Sequence, residues 1–261
     1  MSDAPFLVIR NLSKSFGSVR ALQEVDFEAK AGEVMALVGD NGAGKSTLIK
    51  CVAGIHPPDS GEIFFDGELV HIHTPKDAAR LGIEVVYQDL ALCDNLDVVA
   101  NMYLGREIHD VLQRIIEPEM QRKTEETMAG LRVTTLRSVR QRVATLSGGQ
   151  RQSVAVARAV MWNSRLVILD EPTAALGVAQ TEQVLALVKR LAEQGLAVVI
   201  ISHNLHDVFE VADRITVLRL GRTVGIYVRT ATTQDEVVHA ITAGQPTKVS
   251  GIPGTSTPVP S

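Results

Sequence analysis

The sequence predicts an α/β fold with a largely parallel sheet that is covered on both faces. Short apolar runs rich in β-branched residues alternate along the chain with stretches of helical periodicity. The runs are apolar at nearly every position, which suits strands that are buried on both sides. Such alternation is typical of parallel strands joined by crossover helices. We also expect an antiparallel β layer and an inserted helical subdomain.

The elements of the predicted core follow one another along the chain. The apolar runs, which we interpret as strands, are Glu33–Val38, Arg165–Leu169 and Ala197–Ile201. The helical stretches that follow them are Lys45–Ala53, Gly149–Trp162 and Ala179–Gln194. Each strand followed by a helix is one unit of a parallel sheet.

Three other regions differ from this core. The first thirty residues and Glu62–Val70 alternate apolar and polar residues, and Asp66–Gly67 is a hairpin turn signal, so these regions predict the antiparallel layer. Residues 91–145 lack buried-strand runs and are expected to be mostly helical, with Arg122–Leu131 at helical spacing. The last residues are rich in Pro, Gly, Ser and Thr, which predicts disorder. The predicted domains are therefore a core over 5–88 and 150–243, a helical subdomain over 89–149 and a disordered tail over 244–261.

Composition excludes several classes of protein. The chain has 261 residues, 45% of them hydrophobic, which suits one or two packed domains. The net charge of −4 disfavours a nucleic-acid partner. The two cysteines, Cys51 and Cys93, are expected to be reduced cytosolic thiols. No signal peptide is recognisable, and no apolar run approaches the about 20 residues of a membrane helix, so we expect a chain that does not span a membrane itself.

A phosphate-binding loop is the most specific motif in the chain. Residues 39–46 read GDNGAGKS and match G-x-x-x-x-G-K-[ST] between a predicted strand and a predicted helix. Its glycines let backbone N–H groups point at phosphate oxygens, and the helix adds its positive end. The predicted nucleotide-binding residues are Gly39, Asp40, Asn41, Gly42, Ala43, Gly44, Lys45 and Ser46. Lys45 is expected to bind the β- and γ-phosphates and the Ser46 hydroxyl to bind Mg²⁺, which predicts a P-loop NTPase (RecA-like) core.

A carboxylate pair follows the second apolar strand. Residues 166–171 read LVILDE, four apolar residues and then two acids. Asp170 is expected at the sheet edge, where it would hold Mg²⁺ through water. Glu171 must point elsewhere and suits a general base for the attacking water. The alternative is a strand end with two solvated acids.

A second glycine turn lies at Leu146–Gln150, which reads LSGGQ. Ser147 and Gln150 have the spacing of a capping box, with Ser147 as the N-cap. Gly148 and Gly149 leave the N–H groups of the first helical turn unobstructed, so this helix start suits an anion. Taken alone, the motif favours the interpretation of an ordinary capped helix.

Together these motifs resemble the ATP-binding cassette of ABC transporters over about residues 5–240. The resemblance implies an ATPase with ATP and Mg²⁺ as cofactors. It also implies that LSGGQ closes over the ATP of a second cassette packed head to tail. Residues Ser147, Gly148, Gly149 and Gln150 would then form part of the partner's nucleotide site.

The same resemblance assigns further positions one at a time. Gln88, in VVYQD, matches the glutamine that senses Mg²⁺ and nucleotide, and His203, in VVIISHN, matches the histidine that contacts the γ-phosphate. Phe16, in SKSFG, matches the aromatic residue that stacks on adenine, although a core phenylalanine is a rival interpretation. Thr47 would contact the α-phosphate. One position departs from the family, because Gly177 stands where an Asp usually helps to join the two cassettes.

The segments VVYQDLALCDNLDVVANMYLGRE, GDNGAGKST and EPTAALGV resemble the monosaccharide branch of bacterial importers, which handles ribose-, xylose- or fructose-type sugars. This implies a second cassette, with a homodimer as the favoured pairing, a membrane permease, and indirectly a periplasmic-type sugar-binding protein. The expected location is peripheral, on the cytoplasmic face of the inner membrane.

Alternatives remain at this point. The first is a soluble ABC-type ATPase that acts on ribosomes or DNA. A GTPase or small-molecule kinase is a second, although the chain contains no Asn-Lys pair with which to read guanine. His71 and His73 share a strand face and could bind a metal, but no third ligand is evident.

Overall fold

A computed structural model describes residues 5–244, and within them the predicted α/β alternation is confirmed. The strands are β1 (Pro5–Phe16), β2 (Val19–Lys30), β3 (Val34–Val38), β4 (Ser60–Phe65), β5 (Glu68–Val70), β6 (Ile83–Val86), β7 (Leu166–Asp170), β8 (Ala197–Ile201), β9 (Arg214–Arg219) and β10 (Arg222–Val228). The α-helices are α1 (Lys45–Val52), α2 (Pro75–Leu81), α3 (Val98–Tyr103), α4 (Glu117–Gly130), α5 (Gly148–Val160), α6 (Val178–Glu193), α7 (Leu205–Val211) and α8 (Gln234–Ala243).

A six-stranded sheet forms the centre of the fold. Its order is β10-β9-β3-β8-β7-β6, with parallel pairing throughout except for β10, which lies antiparallel to β9 at the edge. Every residue of β3 and β8 is buried, as their apolar sequences require. Because the strands are parallel, the carboxyl ends of β3, β8, β7 and β6 meet at one edge of the sheet.

The predicted antiparallel layer is a four-stranded sheet in the order β2-β1-β4-β5. Asp66 and Gly67 connect β4 to β5 with φ of 53° and 80°, the positive values that a tight hairpin turn needs. This layer packs on one face of the central sheet, and α5 and α6 pack on the other. Alternate side chains of β3 therefore enter different cores: Met35 and Leu37 face the antiparallel layer, while Ala36 faces the helices.

The prediction that residues 91–145 are mostly helical is wrong. The predicted helix Arg122–Leu131 is confirmed up to Gly130, where α4 ends with Leu131 as its C-cap. Outside α3, α4 and a single 3₁₀ turn, the segment is largely irregular. Buried Asn101 of α3 stabilises the irregular backbone that precedes this helix. Its side chain accepts from the N–H of Cys93 at 2.7 Å and donates to the carbonyls of Cys93 (3.0 Å) and Asp97 (2.9 Å). A side chain thus satisfies both backbone groups of Cys93 in the place of regular secondary structure.

The C-terminal tail, the cysteines and the membrane prediction have separate outcomes. The predicted disordered tail covers 244–261, of which residues 245–261 lie outside the described part of the chain. Both cysteines carry free thiols, and burial raises the pKa of Cys51 to about 11. None of the helices between residues 5 and 244 is both long and apolar enough to cross a membrane. The domain boundaries at 88 and 150 stay a prediction.

Candidate nucleotide-binding and catalytic site

The predicted phosphate loop and catalytic residues follow four neighbouring strands of the central sheet. The phosphate loop follows β3, His203 follows β8, Glu171 follows β7 and Gln88 follows β6. Because the sheet order is β3-β8-β7-β6, these groups lie in that sequence along its carboxyl edge. Ligands of open parallel sheets bind at this edge. The sheet thus brings together motifs that are far apart in the sequence.

The phosphate loop needs glycine at two positions for steric reasons. At Gly39 an added Cβ would lie 2.2 Å from the carbonyl oxygen of Leu218, and at Gly44 it would lie 2.8 Å from that of Ala21. Gly44 has φ of 104° and is the N-cap of α1, where no side chain caps the helix. The first N–H groups of α1 therefore point toward the loop without a side-chain partner, an arrangement suited to an anion.

Lys45 spans this loop from the first turn of α1. Its Nζ donates to the carbonyl oxygens of Gly39 at 2.7 Å and Asp40 at 3.0 Å. Burial lowers the pKa of Lys45, and the charges of Glu171, Asp170 and Asp40 oppose that shift. The ammonium group is thus held over the loop by carbonyl oxygens, where phosphate oxygens could replace them. Ser46 is exposed and Thr47 half-buried on the same helical turn.

The two acids after β7 have different environments. Burial, and then the charge of Glu171, raises the pKa of Asp170, while Lys45 opposes the shift. Glu171 has a left-handed φ of 50°, and its N–H donates to the carbonyl of Ile201 at 2.9 Å. This turn brings its carboxylate to 2.8 Å from Nδ1 of His203. The interpretation of both acids as solvated is therefore wrong, because each is partly buried and close to other charged groups.

The LSGGQ turn forms the predicted capping box. Ser147 Oγ accepts from the N–H of Gln150 at 3.3 Å, and Gln150 Oε1 accepts from the N–H of Ser147 at 2.9 Å. Gln150 Nε2 also donates to the carbonyl of Thr135 at 2.6 Å. The side chain of Gln150 therefore builds the turn. Ser147 and Gly148 are exposed at the start of α5, whereas Gly149 is buried.

Gln88 and Phe16 lie at the margins of the site. Gln88 is exposed two residues after β6. Phe16 ends β1 with 44% of its surface exposed, so the core interpretation of this ring is wrong. The centroid of its ring lies 5.1 Å from that of His56 in an edge-on arrangement and 5.7 Å from the Nζ of Lys14.

One contact links the helix of the LSGGQ motif to the loop after Gln88, and no sequence motif predicts it. Arg158 of α5 donates to the carbonyls of Leu90 at 2.8 Å and Ala91 at 2.9 Å. The helix that begins at Ser147 therefore holds the loop that follows Gln88. Only the folded arrangement of β6 against α5 brings this arginine to those carbonyls.

The two histidines and Gly177 lie outside the carboxyl edge of the sheet. His71 and His73 stack with ring centroids 6.3 Å apart, but nowhere in residues 5–244 do three or more His, Cys, Asp or Glu side chains form a group that could hold a metal. A dedicated metal site at these histidines is therefore not supported. Gly177 is the exposed N-cap of α6 and offers no side chain to cap it.

Comparison with known proteins identifies the family. A family model described as ABC transporter matches residues 22–174. The chain belongs to the ABC transporter family. As a member it is an ATP-binding, ATP-hydrolysing cassette, which excludes the GTPase and small-molecule kinase alternatives.

Relatives of this cassette cover most of the chain. It is 46% identical to the fructose import ATP-binding protein FrcA of Rhizobium meliloti, over 85% of this chain and 88% of the relative. It is 44% identical to the xylose/arabinose import ATP-binding protein XylG of Sulfolobus acidocaldarius, over 93% and 95%. The ribose import ATP-binding protein RbsA 2 of Escherichia coli O157:H7 is 40% identical over 94% of this chain, but the match spans 48% of that relative.

Solved cassettes share the fold. A nucleotide-free ATP-binding cassette from an ABC transporter superposes with a TM-score of 0.77 at 26% identity, covering 86% of this chain and 92% of that one. The dimeric structure of MJ0796, a bacterial ABC transporter cassette, gives 0.72 at 25% identity over 85% and 98%. The predicted P-loop NTPase fold is confirmed.

Proposed function

We propose that this cassette energises uptake of a monosaccharide through a separate membrane permease. The observation that carries the proposal is its identity of 40–46% to import ATP-binding proteins named for fructose, xylose/arabinose and ribose. Those names favour sugar import over a soluble ATPase that acts on ribosomes or DNA. The partner proteins, not this chain, would contact the sugar.

In the proposed reaction the phosphate loop holds ATP, and the LSGGQ turn of a second cassette, in a homodimer, covers its γ-phosphate. Glu171 accepts a proton from a water molecule whose oxygen attacks the γ-phosphorus. The bond to the β–γ bridging oxygen breaks, and ADP and phosphate are formed. His203 orients the Glu171 carboxylate through the 2.8 Å contact and reaches the γ-phosphate with its exposed ring.

The oxygen donors of this edge fit Mg²⁺. The proposed ligands are the Ser46 hydroxyl, the Gln88 amide oxygen and the Asp170 carboxylate, the last through water. Hard oxygen ligands of this kind, completed by phosphate and water oxygens, suit Mg²⁺. Asp170 also has the environment of a carboxylate that a cation would stabilise, because burial and the Glu171 charge raise its pKa. When bound, Mg²⁺ neutralises charge on the β- and γ-phosphates.

We place the permease at a groove beside the loop that follows Gln88. Its walls come from β6, α3 and α5, and its lining residues include Glu84, Met102, Leu104, Arg106 and Trp162. The guanidinium of Arg106 lies 5.1 Å from the Trp162 ring centroid and 3.4 Å from Glu84. The groove thus combines apolar contact area with charges of both signs. Closure of the two cassettes would reach it through Gln88–Ala100, on the cytoplasmic face of the inner membrane.

Isolation of the partners tests this proposal. Tagged Glu171→Gln protein is incubated with native membranes, solubilised in detergent with Mg·ATP and recovered, and its partners are identified by mass spectrometry. We expect a multi-span permease, encoded beside a periplasmic-type sugar-binding protein. Recovery of ribosomal or DNA-repair proteins without a permease would contradict import and favour the soluble class.

Replacing Phe16 by Ala should raise the KM for ATP about tenfold and leave kcat unchanged. Stacking of a base on an aromatic ring contributes about 1–3 kcal/mol, and about 1.4 kcal/mol corresponds to a factor of ten. Phe64→Ala is the matched control, since Phe64 lies on the same sheet under a cation of its own, Arg10. Steady-state ATPase kinetics of both variants measure the effect. An unchanged KM in Phe16→Ala would refute the adenine contact.

The signature serine should have two separable roles. Ser147→Ala and Thr233→Ala each remove the N-cap of a capping box, in α5 and α8, so each should lower the free energy of unfolding by about 1 kcal/mol. Only Ser147→Ala should also lower the ATPase rate, because only Ser147 would contact nucleotide. Chemical denaturation and ATPase assays measure both effects. Equal ATPase rates in the two variants would contradict the nucleotide contact of Ser147 and support only its role as the N-cap of α5.

A further inference from the structure

The chain segment after β7 contains strained backbone. Glu171 and Ala175 both have left-handed φ, at 50° and 60°, although neither is glycine. Such residues persist when their surroundings over-determine the conformation, and they concentrate at functional sites. Contacts with neighbouring elements must therefore hold the turn that carries Glu171.

Three polar contacts tie this turn to a single neighbouring segment, residues 201–207. The N–H of Glu171 donates to the carbonyl of Ile201 at 2.9 Å, and its carboxylate meets Nδ1 of His203 at 2.8 Å. The third contact is more deeply buried: the hydroxyl of Thr173 donates to Oδ2 of Asp207 at 2.7 Å. Thr173 is 8% exposed and Asp207 2% exposed.

We infer that Thr173 and Asp207 form a positioning pair, which fixes Glu171 relative to His203. Neither residue needs to touch the nucleotide for this role. Thr173 lies two residues beyond Glu171, and Asp207 lies in the first turn of α7, which begins two residues after His203. A buried hydrogen bond to a carboxylate is stronger than a neutral one and has no water to replace it. The bond therefore fixes the loop that carries Glu171 relative to the loop that carries His203.

The consequence concerns the chemical step rather than ATP binding. The phosphate loop belongs to β3 and α1, and the pair lies beyond β7 and β8, so loss of the bond leaves the loop's own contacts intact. The Glu171 carboxylate would lose a fixed position relative to His203 and to the attacking water. Small displacements of a general base reduce rate strongly because proton transfer depends on close approach.

The test is Thr173→Val in the full chain, compared with Thr173→Ser. The valine variant keeps the shape but lacks the hydroxyl, and we expect kcat to fall at least tenfold with KM for ATP within twofold. The serine variant restores the hydroxyl and should keep kcat within about threefold of the parent chain. Equilibrium dialysis measures the number of ATP molecules bound per chain. It shows whether kcat falls because each site hydrolyses ATP more slowly or because fewer chains bind ATP.

A matched control is Thr216→Val, which also removes the hydroxyl of a buried threonine, here one bonded to Met35 Sδ at 3.4 Å in the central sheet. It should leave kcat unchanged. If Thr173→Val does not fold, Asp207→Asn replaces it, with at least a threefold fall in kcat expected. A normal kcat in the variant tested would overturn the inference. An equal loss of kcat in the serine and valine variants would also overturn it, as would a fall in kcat explained by a smaller number of chains that bind ATP.

The inference rests on the proposed role of Glu171 as the base, and Glu171→Gln measured in parallel distinguishes the two failures. Rapid turnover in Glu171→Gln would overturn the base assignment and the positioning pair together. An inactive Glu171→Gln with a fully active Thr173→Val would overturn the pair alone.

Discussion

Glu171→Gln is expected to lower the ATPase rate by a factor of about 10² to 10⁴ without preventing ATP binding. General-base catalysis contributes on that order, and an amide cannot accept the proton of the attacking water. The substitution keeps the size of the side chain, and an amide can still contact Nδ1 of His203, so the strained turn at Glu171 should survive. Steady-state ATPase assays and equilibrium binding of ATP measure the two quantities separately.

The same variant should accumulate as a closed pair of cassettes in Mg·ATP. ATP would favour the closed state, and hydrolysis would no longer reopen it. Light scattering coupled to gel filtration measures the shift from monomer to dimer. Glu182→Gln is the matched control, because Glu182 is an exposed glutamate on α6 outside the site, and it should hydrolyse ATP at the normal rate. Rapid turnover by Glu171→Gln would refute the base assignment.

The parts of this site that could be predicted are those encoded by contiguous residues. The phosphate loop, the strand ending at Asp170 and the capping box at Ser147 each lie within eight residues or fewer, and local spacing determines them. The strands β3, β7 and β8 were recognisable because they are apolar at nearly every position. The hairpin at Asp66–Gly67 was predictable because few residue pairs adopt positive φ in succession.

What could not be predicted depends on sheet order and on irregular backbone. The contact of Glu171 with His203 exists because β7 and β8 are neighbours in register, which neither segment encodes by itself. The irregular backbone before α3 was not predictable, because it depends on the side chain of Asn101, which bonds both backbone groups of Cys93. The exposure of Phe16 likewise depends on where β1 ends against the loop that carries His56.

Lys45→Ala should weaken ATP binding by a factor of at least about 10². Charge-assisted hydrogen bonds contribute about 1.5–3 kcal/mol each, and about 1.4 kcal/mol corresponds to a factor of ten. Lys45 would direct such bonds to two phosphates. Its lowered pKa indicates an ammonium group that is partly removed from water, where its attraction to phosphate is less screened. Titration calorimetry with Mg·ATP measures the loss.

Lys76→Ala controls for the loss of a positive charge, because Lys76 is exposed on α2, away from the sheet edge. A combined Lys45→Ala, Glu171→Gln chain then separates binding from catalysis. If Lys45 acts on the phosphates, the double variant stays monomeric in Mg·ATP, whereas Glu171→Gln alone forms the dimer. Without nucleotide, Lys45 also holds the carbonyls of Gly39 and Asp40, so thermal unfolding must be compared as well. A double variant with normal stability that still dimerises in ATP would show that the phosphate loop binds nucleotide without its lysine.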